Sequence, residues 1–175
     1  AFNRTQMPGD NAGAESPRLA ALAAALRAAG AEAEVVADVE AATWEKFLLI
    51  EPWGAVAAAA RAPAGVVRSV PESRALLVRA QEELQSLARS RGVALAEGAA
   101  ARALAVIDGV PFEATASMQR DLAAGVPSEL EDQVGAVVRL AREAGTPVPA
   151  HETLLAALLP QERAARGAIA RFQRT

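Results

Sequence analysis

One side chain stands apart by its chemistry. Lys46 is the only lysine, and the other 17 of the 18 cationic residues are arginine. An ammonium can lose its proton near neutral pH and a guanidinium cannot. Lys46 is therefore a candidate for chemistry that arginine cannot do, with a plain surface lysine as the alternative. Glu129 is the second candidate. It follows Ser128 in the first turn of an expected helix, where the helix dipole favours an ionised, acceptor-only carboxylate. Ser117 opens another short helix and suits an N-cap. His151, the sole histidine, follows a Pro-rich turn and reads as a capping or surface residue. Trp44 and Trp53 read as packing residues.

Composition removes other chemistries. The chain has 175 residues, no cysteine and a net charge of −3. Disulfides, thiolate catalysis and Cys-ligated metal are excluded. One histidine leaves little for a Ser-His relay or a His-based metal site. Glu129, Glu131 and Asp132 cannot all face one way on a helix, so no metal site is expected. The net charge argues against nucleic acid. No apolar run approaches the roughly 18 residues of a membrane span. The chain opens on Ala1, with no initiator Met and no apolar signal segment, so we expect processing or a longer parent polypeptide.

The elements that must position these residues are mostly helical. Hydrophobic residues make up 52% of the chain and aromatics only 3%. About a quarter of the residues are alanine, so the core must be Ala, Leu and Val. Residues 1–15 read as a loop. Ser16-Pro17 opens a helix with Leu19, Leu22 and Leu26 on its apolar stripe, closed by Gly30. Residues 32–37 form a short strand, which as a lone strand cannot make a sheet. Helices then follow over 41–50, which Pro52 bends or breaks, and from Ala55 to Arg61. Residues 61–70 read as irregular. Further helices run from Pro71 to Gly92, with Leu76, Leu77, Ala80, Leu84, Leu87 and Ala88 on one face, over 97–107, and from Ser117 to Ala124. One opens on Ser128, with Glu131 in capping-box register, and ends at Gly145. The last begins near His151 and passes Pro160, where a kink is expected. Arg163 to Arg174 forms a basic tail suited to solvent or a dimer contact.

Neither a dinucleotide fingerprint nor a P-loop is present, because Gly9 and Gly13 lack the G-x-G-x-x-G spacing. Trp44-Glu45-Lys46-Phe47, the run from Ser117-Met118 through Asp121-Leu122 and Gly125 to Ser128-Glu129-Leu130-Glu131, and Gly145-Thr146-Pro147-Val148-Pro149 occur in one order. That order resembles the C-terminal helical domain of the ketopantoate reductase (2-dehydropantoate 2-reductase) family. The resemblance covers roughly residues 39–165.

The resemblance implies a mostly α fold of the ketopantoate reductase / 6-phosphogluconate dehydrogenase C-terminal-like type. Residues 1–38 would be the tail of a Rossmann domain, and residues 39–175 a helical substrate-binding and dimerisation domain. It implies NADPH-dependent reduction of a 2-keto acid, ketopantoate to pantoate, in pantothenate biosynthesis. The position of Lys46 would be the general acid, Glu129 would bind the substrate hydroxyl, and Ser117 would bind the substrate carboxylate. NADPH would be held mainly by an absent N-terminal domain, leaving this chain inactive alone. A cytoplasmic homodimer is implied, without nucleic acid, membrane or metal.

Three positions depart from the family pattern. The asparagines expected four and eight residues after the lysine are Ile50 and Gly54, and another expected asparagine is Val134. These changes point to a different ketone as one alternative. A helical dimerisation module without catalysis is the other.

Overall fold

The computed structural model describes residues 4–8 and 16–169. It divides into two compact units, Ala1–Trp44 and Glu45–Thr175.

The first unit corrects the expectation of a lone strand. Strand β1 (Arg4–Pro8) pairs in parallel with β2 (Glu32–Val36), with Arg4 opposite Glu32 and Pro8 opposite Val36. Helix α1 (Pro17–Ala28) connects them, as a parallel pair requires. Little in Arg4–Pro8 announces a strand, because β structure is set by the pairing partner more than by intrinsic preference. Ser16 caps α1 as expected, its Oγ accepting from Leu19 N at 3.4 Å. The apolar stripe is shifted, however. Leu22 is 48% exposed, while Ala23 is buried with Ala33 against Leu19, Leu26 and Val35. Residues 1–3, 9–15 and 170–175 lie outside the described residues, and with them Gly9, Gly13 and the end of the basic tail.

Helix α2 (Val39–Ala60) starts on an Asp38 cap, whose Oδ1 accepts from Ala41 N at 2.9 Å. It does not stop at Pro52. Residues 51–58 are all buried, so this half is apolar around most of its circumference and forms the centre of the second unit. Pro52 has no N–H, which leaves the Leu48 carbonyl four residues earlier without its helical donor. Gln81, buried on a neighbouring helix, supplies one through Nε2 at 3.4 Å. Packing on both sides keeps the helix continuous where sequence reading expected an interruption.

Around α2 lie α3 (Ala64–Ser69), α4 (Pro71–Ser90), α5 (Ala99–Gly109), α6 (Ser117–Ala124), α7 (Val134–Ala144) and α8 (Pro149–Ala165). Helix α3 replaces the expected irregular stretch. Six residues are too few to show a 3.6-residue period, and tertiary bonds hold the helix. Ala64 N and Gly65 N donate to Ala114 O and Phe112 O at 2.9 and 2.8 Å. A Cβ on Gly65 would collide with the Phe112 ring where it now lies. Arg68 bonds Ile107 O and Val110 O, tying α3 to the end of α5. The face of α4 is close to expectation: Leu77, Ala80, Leu84, Leu87 and Ala88 are buried, joined by the polar Gln81. The shared core includes Trp53, Val56, Leu77, Ile107, Met118, Leu122, Leu130, Val134, Leu154 and Leu158. No helix among the described residues is long and apolar enough to cross a membrane.

Gln81→Met keeps the side chain's bulk and removes its donor. The Leu48 carbonyl is then buried without a partner, and unfolding free energy falls by about 1–2 kcal/mol. Urea titration of the two proteins measures it.

Candidate functional site

Lys46 lies on the exposed part of α2, before the helix enters the core. Its ammonium has no hydrogen bond or ion pair among the described residues. The preceding Glu45 does: Oε1 accepts from Arg102 Nη2 at 2.9 Å. The sole lysine is thus presented to solvent next to a carboxylate already engaged by arginine.

Helix α6 is docked on the buried half of α2, eight residues past Lys46. An ideal Cβ on Gly54 would stand 2.9 Å from Met118 Cε and 3.7 Å from Ala116 Cβ. The glycine therefore lets the first turn of α6 approach the helix that carries Lys46. Gln119 Nε2 adds a bond to Ala62 O at 3.0 Å. Ser117 sits between Ala116 and the buried Met118 and is itself exposed. It is the first helical residue, not the cap. Ala116 holds the cap position, and Gln119 Oε1 accepts from Ala116 N at 3.3 Å. The Ser117 hydroxyl is thereby free of the capping role expected of it.

Glu129 is exposed on the loop after α6. Its Oε2 accepts from Gln133 Nε2 at 2.8 Å. The loop corrects the expected helix start at Ser128, because regular α7 begins only at Val134. Ser128 Oγ accepts from Leu130 N at 3.2 Å, not from Glu131 N as a capping box would need. The Ser128 hydroxyl and amide donate to Glu162 on α8, and a long-range partner has replaced the local one. Lys46 and Ser117 thus lie on helices that pack together, and Glu129 lies on the loop that α6 feeds. No hydrogen bond joins the three side chains.

His151 is the clearest correction. It is fully buried. Nε2 lies 3.0 Å from Glu51 Oε2, and Nδ1 lies 2.7 Å from Glu83 Oε2. Glu83 also accepts from Ala150 N and His151 N at 2.8 and 3.2 Å, which caps α8. Burial alone would depress the imidazole pKa. The two carboxylates outweigh burial and raise it to about 9. Burial likewise pushes Glu83 up, but His151 and the two amides prevail and hold it below its usual range. The three side chains fasten α2, α4 and α8 together. Sequence reading missed them, although one signal was there: Glu51 interrupts the run from Phe47 to Ala60, which has no other charge. A carboxylate there needs a buried partner.

The comparisons agree on one family. The family model for the C-terminal domain of ketopantoate reductase PanE/ApbA matches residues 38–162. A 2-dehydropantoate 2-reductase of Halobacterium salinarum is 35% identical over 142 residues, covering 81% of this chain and 46% of that protein. The chain thus spans about half the length of this curated relative. The crystal structure of a PanE/ApbA family ketopantoate reductase from Ralstonia eutropha superposes with a TM-score of 0.81 at 28% identity. It covers 94% of this chain and 54% of that one. A D-mandelate dehydrogenase in complex with NADH and anilino(oxo)acetate shares the fold, with a TM-score of 0.79 at 15% identity, over 92% of this chain and 53% of that one.

The buried cluster predicts a pH dependence. The folded pKa of His151, about 9, lies above its ordinary value of 6.5. The stabilisation is therefore complete below pH 6.5 and is lost as pH rises through 9. Its full size is on the order of 3 kcal/mol. Melting temperature should fall over that window, and His151→Gln should flatten the fall. With a single histidine, NMR titration of the ring reads the midpoint directly.

Proposed function

The chain belongs to the ketopantoate reductase family, as its C-terminal domain, and on that premise we propose that it is the substrate half of an NADPH-dependent 2-keto acid reductase. In this reading residues 1–38 end a nucleotide-binding Rossmann domain, and residues 39–175 bind substrate and form a homodimer. The reaction would be ketopantoate to pantoate, in the cytoplasm. The D-mandelate dehydrogenase complex with NADH and anilino(oxo)acetate supports a nicotinamide cofactor and an oxo-acid substrate.

The described residues do not fit the cofactor itself. Helix α1, the one that follows a parallel strand, has Pro17 in its first turn. Proline removes a backbone N–H that a phosphate would need. We therefore assign NADPH, the hydride source, to a domain outside this chain.

One observation carries the proposal: the sole lysine is exposed, without a partner among the described residues, and set on the helix against which the Ser117 turn is docked. Reduction of a ketone leaves negative charge on the carbonyl oxygen. Lys46 Nζ supplies the proton that this oxygen takes up. Ser117 Oγ donates to the substrate carboxylate, and Glu129 accepts from a substrate hydroxyl.

A second reading keeps the reaction and changes the ketone. Met118 fills the space a side chain at Gly54 would occupy, and position 50 is isoleucine. Neither position can hydrogen-bond a substrate hydroxyl, which favours a 2-keto acid with an apolar substituent there.

Assay of the longer polypeptide with NADPH and a panel of 2-keto acids tests both readings. Lys46→Ala should lower kcat by about 10²–10⁴-fold, and Lys46→Arg should not restore it. Full activity in Lys46→Ala would overturn the assignment. The 175-residue chain alone should show no micromolar affinity for NADPH in calorimetry.

A further inference from the structure

The loop between α6 and α7 carries an exposed carboxylate on a backbone gripped from inside the protein. Glu162 on α8 is fully buried. Its carboxylate accepts from Ser128 N at 3.1 and 3.0 Å and from Ser128 Oγ at 2.6 Å. Arg166 Nε donates to the same carboxylate at 2.6 Å, and Arg166 Nη2 donates to Ser128 O at 2.8 Å. The amide and hydroxyl of residue 128 are thus held by α8, and its carbonyl by Arg166 just past the end of α8. On the other side, Glu129 O accepts from Gln133 N at 2.8 Å. The backbone of Glu129 is fixed at both ends while its side chain stands in solvent.

The clamp ties the loop to α8 and at the same time fixes the residue next to Glu129. Water satisfies exposed turn atoms, and burying a carboxylate costs more than it returns unless its geometry is good. Here the charge is spent on the residue next to Glu129. We propose that Glu162 and Ser128 are positioning residues that set Glu129 to bind the keto-acid substrate. This inference rests on the reading of Glu129 as a substrate ligand. Substrate alignment is lost with displacements of about 1 Å, so a clamp one residue away acts directly on binding.

A double-mutant cycle in the longer, active polypeptide tests it. Ser128→Ala removes the hydroxyl's bonds to Glu162 and from Leu130 N and leaves both amide bonds to Glu162, so the variant is expected to fold. It should raise KM for the 2-keto acid on the order of tenfold, with KM for NADPH unchanged. Glu129→Ala should raise KM for the 2-keto acid at least as much. The Ser128→Ala/Glu129→Ala double variant should then be no worse than Glu129→Ala alone, because the clamp acts only through that carboxylate. Additive losses, the behaviour of independent sites, would overturn the inference, as would an unchanged KM in Ser128→Ala. A wild-type enzyme that reduces no 2-keto acid removes the functional reading first and this inference with it. An active wild type with additive losses removes the inference alone.

Discussion

An alanine-rich core can be close-packed and still leave its helices free to slide. Ala55, Ala57, Ala58, Ala64 and Ala80 are buried in one cluster, and their methyl groups offer little relief for neighbouring side chains to interlock. Large, shaped side chains usually supply the last part of structural uniqueness. In this chain buried polar contacts take that part. Glu51 and Glu83 grip His151, Gln81 reaches Leu48 O, and Glu162 grips Ser128. Each is directional and joins elements more than 30 residues apart. A slip of one helix would leave a buried charge or carbonyl without its partner, a penalty far above the loss of a methyl contact.

The same constraint explains what could be read in advance. Local signals were legible. Ser16-Pro17 at the start of α1, the bounds of α6 and the apolar face of α4 depend on residues within a few positions of one another. So was the order of motifs around Lys46, Ser117 and Glu129, which identified the family. Long-range polar pairing was not legible. His151 looks like a cap from its neighbours and becomes a core residue only because Glu51 and Glu83 lie on other helices. Ser128 matches a capping box locally, but Glu162, 34 residues away, is the stronger acceptor. Helix α3 and strand β1 failed for the same reason, since their backbone bonds are made with distant segments.

The candidate site has a common design. Its side chains are exposed, and the backbone beneath each is held by buried neighbours. Leu48 and Glu51 lie just beyond Lys46, Met118 follows Ser117, and Ser128 and Leu130 flank Glu129; all of these are buried. Rigid support under solvent-facing polar groups is what a binding surface needs, because a ligand then need not order them.

Helix α2 shows how the two requirements meet. Its second half is core, and its first half presents Lys46. Between them stand Glu51 and Pro52. From Lys46 to Glu51 is five residues, about 7.5 Å along the axis. A shift of α2 by one residue would move the lysine by about 1.5 Å and turn it through about 100°, enough to lose the hydrogen-bond contact that its proposed proton transfer needs. The Glu51–His151 contact opposes that shift, since its geometry holds in one register only. The buried Glu51–His151 contact therefore sets where the only lysine stands.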